Sequence, residues 1–139
     1  MYIKNGYDYK VREDLSKSIH MVAESVFIEL KINSTKSMLI GCIYRHHSPV
    51  NDFMNSFLLE VLTNIGKEKN KICALLGDFN VDLLRFDEDI NTGNFFDLIS
   101  SHGFRPLILQ PTRVTSNSAT LVDNIYINGA WLYLLSTLL

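Results

Sequence analysis

The chain has 139 residues, of which 47% are hydrophobic and 20% are charged. This composition is typical of a globular protein and excludes a disordered or fibrous chain, and the length suits one hydrophobic core, so we expect a single domain. Thirteen Lys and Arg residues against fifteen Asp and Glu residues leave a net charge of −2, which excludes an overall positive field that would attract nucleic acid or an anionic membrane. Any contact with nucleic acid must therefore be local.

Two strands joined by a polar turn are predicted in the first third of the chain. Residues 25–32 alternate between an apolar face and a second face that carries Phe27 and Glu29, which predicts a half-buried strand. Residues 38–44 form a nearly continuous apolar run, as expected for a central strand covered on both faces. The turn-forming residues 33–37 lie between them and predict a hairpin.

A helix and a third strand follow. Apolar side chains recur at helical spacing over residues 51–65, just before Gly66, and residues with capping side chains precede them at 48–52. Residues 71–76 form another apolar run of strand length, which stops where polar side chains begin.

The C-terminal half adds a shorter helix and two strands. The helix is predicted over residues 94–101, with Asn91 or Thr92 as its cap, and the strands over 105–109 and 121–127. Strands and helices in this order predict a mixed α/β fold.

Both ends of the chain are apolar. Residues 1–4 are typical of the end of a strand running into a turn, without the pattern of a secretory signal. Residues 129–139 form an apolar tail, too short for the roughly 20 residues of a membrane-spanning helix. Because the ends of complete domains are usually polar, we expect the chain to be truncated.

Three predictions concern side chains to which the motifs described below assign no role. Cys42 and Cys73 each lie in an apolar run, which predicts two buried, reduced thiols. The basic residues around Arg12 are interleaved with acidic ones and are expected on a solvated face. His46 and His47 are adjacent loop residues and are expected to face solvent.

The third strand delivers an Asp and an Asn to a tight turn. Asp78 and Asn80 follow its carboxyl end, where open α/β sheets place ligand sites. A carboxylate can bind a hard divalent cation or deprotonate an attacking water, and an amide can donate to a phosphate oxygen. Asp and Asn are also common turn residues for local hydrogen-bonding reasons, so an ordinary turn is the alternative.

Three motifs together resemble the endonuclease/exonuclease/phosphatase superfamily. They are residues 41–45, residues 76–80 and residues 121–125, and the sequence of residues 103–113 is similar, more narrowly, to the endonuclease domain of non-LTR retrotransposon proteins. The resemblance implies an α/β fold, a partial two-sheet sandwich of the DNase-I-like type, with residues 1–128 as an incomplete domain and the tail as an unrelated segment.

The resemblance also implies roles for individual residues. Asp78 matches the aspartate that activates the attacking water, and Asn80 matches the asparagine that holds the scissile phosphate. Tyr44 matches a tyrosine whose hydroxyl contacts the phosphate. Asp123 matches an aspartate that orients a catalytic histidine, and an acidic residue in the middle of an apolar strand needs a polar partner.

A metal and DNA are the implied ligands. The family uses a divalent cation, here magnesium with Asp78 as a ligand, and no small-molecule cofactor or membrane is implied. Arg45 and Arg113 are candidate DNA-binding residues, with an uninvolved exposed arginine and a polar connecting loop as the respective alternatives. A retrotransposon protein would act in the nucleus.

Two hypotheses of different classes follow. The first is a metal-dependent phosphodiester hydrolase that nicks DNA for a non-LTR retrotransposon. The second, the alternative, is an inactive remnant of that domain, and it is supported by the lack of a counterpart in this sequence for the family's metal-binding Glu and its Ser-Asp-His segment. A phosphorylated lipid or inositol substrate is a third possibility, since the same fold hosts that chemistry.

Overall fold

The computed structural model describes residues 1–129, which form nine strands and three α-helices. Seven strands make a mixed sheet in the order β1-β3-β4-β5-β9-β6, with β2 paired to β3, and β7 and β8 form a separate hairpin. The strands are β1 (Tyr9–Val11), β2 (Ser18–Ile19), β3 (Ala23–Lys31), β4 (Ser37–Arg45), β5 (Ile72–Asp78), β6 (Phe104–Pro106), β7 (Arg113–Val114), β8 (Ala119–Thr120) and β9 (Asp123–Asn128). The helices are α1 (Val50–Phe53), α2 (Leu59–Gly66) and α3 (Ile90–Ser101).

The predicted hairpin is confirmed as β3 and β4, which pair antiparallel along their full length. Its buried face, however, is the one that carries Phe27, which is fully buried, whereas Val26 on the other face is 50% exposed. Phe27 pairs with Gly41, and a Cβ atom at Gly41 would lie 2.3 Å from its ring, so the ring covers the glycine. The face of β3 that packs against the helices is therefore the one with Phe27, and not the opposite face, which carries more apolar residues in the sequence.

The predicted helix over 51–65 is confirmed as a continuous helical segment. It runs from α1 through a π-helical turn, Met54–Leu58, into α2, and its buried side includes Phe53 stacked on Phe57. Pro49 occupies the N-cap position, and within residues 1–129 no side chain caps this helix, so the predicted capping role of residues 48–52 was wrong.

Strand β5 is parallel to β4, and β9 is antiparallel to β5. The predicted strand over 71–76 is confirmed but extends through Asp78, and the two C-terminal strands are shorter or shifted relative to prediction. Helix α3 begins four residues earlier than expected, because the cap is Asp89 rather than Asn91 or Thr92. The Asp89 carboxylate accepts hydrogen bonds from both the N–H and the hydroxyl of Thr92.

The second face of the sheet is only partly covered. The N-terminal residues lie over it and leave a groove of about 320 Å³ lined by apolar side chains that include Ile28, Ile40 and Leu76. Cys42 lies on this face and is exposed, so the prediction of two buried thiols holds only for Cys73, whose burial raises its pKa to about 12. The prediction that the second strand is covered on both faces was wrong for the same reason.

The N-terminal segment differs from expectation in two ways. Residues 1–4 form no strand, although the turn after them is present at 5–6. Arg12 is buried rather than solvated, because its guanidinium forms ion pairs with Asp14, Glu29 and Glu68. In residues 1–129 no helix is both long and apolar enough to cross a membrane. The apolar tail, apart from Gly129, lies outside the described residues.

Candidate active site

The strand registers bring three of the predicted site residues into one row. Tyr44 on β4 pairs with Asp78 on β5, and Asp78 pairs with Asp123 on β9. Neighbouring strands lie about 4.8 Å apart, and paired residues project from the same face of a sheet. The row continues to Glu24 on β3, which pairs with Tyr44 and which the sequence analysis did not single out. These side chains lie at one end of the partly covered face.

The turn after β5 depends on a close approach of two backbones. Gly77 has a φ of +147°, and a Cβ atom there would lie 1.8 Å from the carbonyl oxygen of Ile43 on β4. Asn80 has a φ of +49°, and its N–H donates to Asp78 Oδ1 at 3.0 Å. The turn that the sequence offered as the plain alternative is therefore present, and it leaves the second carboxylate oxygen of Asp78 for other partners.

Arg45 supports this turn from below. Its side chain is buried, and its Nε and Nη2 atoms donate to the carbonyl oxygens of Phe79 at 2.7 Å and Asn80 at 2.6 Å, while Nη1 donates to Ser48. The guanidinium also lies over the Phe53 ring, 5.8 Å from its centroid. Burial lowers the pKa of Arg45, and the charge of Asp78 opposes that shift. Contact with substrate stays a prediction for this residue, and the geometry gives it a role in positioning the turn.

Arg113 joins the two aspartates of the row. Its Nη2 donates to Asp78 Oδ2 at 2.5 Å, and its Nε lies 3.5 Å from Asp123 Oδ2. Asp78 and Asp123 raise the pKa of Arg113, the hydrogen bond to Asp78 being the main cause. The Thr112 hydroxyl is 2.9 Å from Asp123 Oδ2 and donates to it. Thr112 directly precedes Arg113 in the segment for which the sequence left a DNA-facing loop and a polar connecting loop as alternatives, and its place beside Arg113 is the signal that could have found it.

Asp123 and His46 lie differently from expectation. Asp123 is the first residue of β9, with a 39% exposed side chain, rather than an acid in the middle of an apolar strand. In the part of the chain that the structure describes, its side-chain partners are Thr112 and Arg113, not a histidine. His46 is half-buried and packs edge-on against the Tyr44 ring with centroids 4.9 Å apart, so it is not the solvated bystander predicted.

The carboxylates of Asp78 and Asp123 can be compared with the ligands that a divalent cation prefers. Among residues 1–129 there is no cluster of three or more His, Cys, Asp or Glu side chains suited to a metal. Asp78 and Asp123 nevertheless share one guanidinium as a partner, since Asp78 Oδ2 contacts Nη2 of Arg113 and Asp123 Oδ2 lies 3.5 Å from its Nε. Magnesium is commonly bound by one or two carboxylates, with water and substrate phosphate completing its shell, and this donor set fits that pattern.

The fold of this chain is similar to that of several solved structures. No protein-family model and no curated protein sequence matches the chain. Among solved structures, the endonuclease domain of TRAS1, a telomere-specific non-LTR retrotransposon, matches with a TM-score of 0.63 and 13% identity, over 87% of this chain and 54% of that one. D. rerio TDP2 complexed with a single-strand DNA product matches with a TM-score of 0.55 and 15% identity, over 89% and 55%.

A third structure carries the family description itself. An endonuclease/exonuclease/phosphatase family protein from Leptotrichia buccalis matches with a TM-score of 0.51 and 13% identity, over 90% of this chain and 50% of that one. The chain thus spans about half the length of the structures it matches. The predicted fold class is confirmed: the chain has the α/β fold of the endonuclease/exonuclease/phosphatase structures.

Proposed function

We propose that this chain is a metal-dependent phosphodiester hydrolase whose active site contains Tyr44, Asp78, Asn80 and Asp123. The observation that carries the proposal is the strand register, which sets Tyr44, Asp78 and Asp123 side by side at one end of an accessible sheet face. If Asp78 served only to form the turn, its pairing with Tyr44 on β4 and with Asp123 on β9 would have no functional meaning. A shared site explains why these three polar side chains are neighbours.

The residues have complementary chemistry for attack on a phosphodiester. Asp78 accepts the proton of the attacking water through Oδ2, because Oδ1 is fixed by the Asn80 N–H and the partner of Oδ2 is the exposed Arg113 side chain. The Tyr44 hydroxyl, on a side chain 40% exposed, donates to a non-bridging phosphate oxygen. The amide of Asn80 donates to the Arg45 carbonyl and so keeps the turn, and with it Asp78, in place.

Asp78 and Asp123 are the residues that would hold a divalent cation. Magnesium bound there supplies positive charge against the negative charge that develops on the phosphate during reaction. The role of Asp123 in this proposal is to bring a second carboxylate to the cation, whereas the family resemblance implies that it orients a histidine.

DNA is the proposed substrate. Two observations support it: likeness to the TRAS1 endonuclease domain and to a TDP2 structure that contains single-strand DNA. Because the whole chain carries a net charge of −2, binding must depend on local cations, and Arg113 at the site is one of them. We propose single-strand nicking of DNA, as for a retrotransposon endonuclease.

An inactive remnant of the domain is the second candidate. The observation that favours it is that Asp78 and Asp123 are both paired with Arg113. A carboxylate that is permanently paired with a guanidinium neither binds a cation well nor accepts a proton readily.

A plasmid-nicking assay tests the proposal. Supercoiled plasmid is incubated with the protein with and without Mg²⁺, beside Asp78→Ala and Asp97→Ala, which removes an equal charge from an exposed position on α3. We expect Mg²⁺-dependent nicking that falls by roughly 10²–10⁴-fold in Asp78→Ala and is retained in Asp97→Ala. No nicking by folded protein, or equal nicking by Asp78→Ala, would favour the inactive remnant.

A further inference from the structure

The Arg113 side chain is held at the site by the carboxylates rather than by the core. It projects from β7, whose pairing with β8 places Arg113 opposite Thr120, and its side chain is 51% exposed. Val114 beside it is 71% exposed, so the hairpin has little apolar packing of its own at this point. The position of the guanidinium is therefore set mainly by Asp78 and Asp123.

The oxygens that Arg113 uses are the same ones that a cation would need. Its two contacts are with Asp78 Oδ2 and Asp123 Oδ2, while Asp78 Oδ1 is already occupied by the Asn80 N–H. Two carboxylates and one guanidinium leave a net charge of −1, whereas a divalent cation neutralises both carboxylates. The guanidinium and a cation bound between these oxygens exclude each other, both by space and by charge.

We infer that Arg113 is an exchangeable counter-ion, which a divalent cation displaces from Asp78 and Asp123 and which then turns to the substrate phosphate. The inference rests on the cation site of the proposed function and adds a step to it. Exchange is feasible because exposed ion pairs contribute little to stability and are readily broken. The freed guanidinium has the planar geometry and the multiple donors that suit two oxygens of one phosphate.

Thr112 makes the displacement local. Its N–H donates to the Thr120 carbonyl at 2.9 Å, a bond that does not involve either carboxylate, so the base of the hairpin stays attached when the Arg113 side chain leaves. The exchange therefore moves one side chain and needs no rearrangement of the sheet.

The test is the affinity for Mn²⁺, measured by electron paramagnetic resonance of the free ion. Arg113→Gln and Arg113→Ala are compared with the unaltered chain and with Arg85→Ala, which removes the same charge from an exposed arginine paired with Glu88. We expect the Kd for Mn²⁺ to fall by roughly three- to thirty-fold in both Arg113 variants, since two exposed ion pairs are lost. Arg85→Ala should leave it within about two-fold. An affinity in the Arg113 variants that equals that of Arg85→Ala, or no binding in any of them, overturns the inference.

A second measurement uses the unaltered chain. The side-chain Nε–H signal of Arg113 is followed by NMR during titration with Mg²⁺, and we expect it to shift together with the backbone signal of Asp78. Movement of the Asp78 signal without the Arg113 signal would show that the cation binds without displacing the arginine.

The two proposals fail in different ways. Tighter Mn²⁺ binding in the Arg113 variants together with absent plasmid nicking would retain the counter-ion exchange and refute the hydrolase. Nicking that depends on Asp78, with unchanged Mn²⁺ affinity in the Arg113 variants, would retain the hydrolase and refute the exchange.

Discussion

Arg45 and Asn80 hold each other through reciprocal hydrogen bonds. Arg45 Nη2 donates to the Asn80 carbonyl at 2.6 Å, and Asn80 Nδ2 donates to the Arg45 carbonyl, also at 2.6 Å. These hydrogen bonds, together with that from Arg45 to the Phe79 carbonyl, attach the end of β4 to the turn after β5. They join residues that are 34 and 35 positions apart in the sequence. The position of Asp78 in the row depends on this link.

Arg45→Ala should therefore destabilise the protein strongly. The substitution leaves the carbonyl groups of Phe79 and Asn80 without their donor in a buried setting, and each such loss costs about 1–3 kcal/mol. We expect the free energy of unfolding to fall by about 2–4 kcal/mol in urea denaturation. Arg85→Ala, at an exposed position, should change it by less than about 0.5 kcal/mol. Equal stability of the two variants would show that Arg45 does not support the turn.

Gly77→Ala should prevent the normal approach of β5 to β4. The added methyl group would lie 1.8 Å from the Ile43 carbonyl oxygen at a φ of +147°. We expect a loss of at least about 3 kcal/mol in the free energy of unfolding, or failure to fold, measured by circular dichroism during thermal unfolding.

Gly66→Ala is the matched control for that substitution. Gly66 ends α2, and within the described residues no atom outside the local backbone of the helix and the two chain neighbours lies within 4 Å of a Cβ built there. Its effect should stay within about 1 kcal/mol, with a gain in stability expected because alanine restricts the unfolded chain. If the two alanine variants melt alike, the backbone contact at Gly77 is not limiting.

The parts of the fold that the sequence predicts well are those with long apolar patterns, either periodic or continuous. Strand β3 and the helical segment from Val50 to Gly66 show apolar side chains at regular spacing, β4 and β5 are continuous apolar runs, and each was found where expected. Strands β2, β7 and β8 have two residues each, too few to show alternation. Whether such a short segment becomes a strand depends on the segment that it pairs with, and the pattern of its own residues gives no information about that partner.

The same distinction applies to the site. Asp78, Asn80 and Tyr44 lie at strand ends that periodicity and the motifs identify. The link from Arg113 to Asp78 spans 35 residues and runs through a short exposed hairpin, so nothing near Arg113 in sequence indicates it. Arg12 is a similar case, because its partners Glu29 and Glu68 are 17 and 56 residues away.

Stability should fall at acid pH through the Arg12 cluster. Hydrogen bonds from Ser37 and Lys71, together with Arg12, lower the pKa of Glu29 from 4.5 to about 2. A carboxylate whose pKa is lower in the folded state contributes stability above its unfolded pKa, and this contribution is lost as the pH falls from about 4.5 through 2. We expect a loss of roughly 1–2 kcal/mol from this residue, below the full linkage value because the group is near solvent.

Glu29→Gln isolates that contribution. Urea denaturation at a series of pH values should show a shallower acid slope in Glu29→Gln than in the unaltered chain. Asp8→Asn, which alters the exposed pair with Lys31, should leave the slope as it is. A slope that is the same in all three proteins would refute the assigned role of Glu29.

Tyr44→Phe should separate catalysis from folding. The tyrosine ring packs on His46, and that contact survives the substitution, while the hydroxyl proposed to donate to the phosphate is lost. We expect Mg²⁺-dependent nicking to fall by roughly 10–10³-fold, with the thermal midpoint unchanged, since removal of one transition-state donor has an effect of this order. Tyr7→Phe removes a hydroxyl from another exposed tyrosine and should keep full activity. If Tyr44→Phe nicks as fast as Tyr7→Phe, the hydroxyl takes no part in the reaction, and the row of β4, β5 and β9 acts through its carboxylates alone.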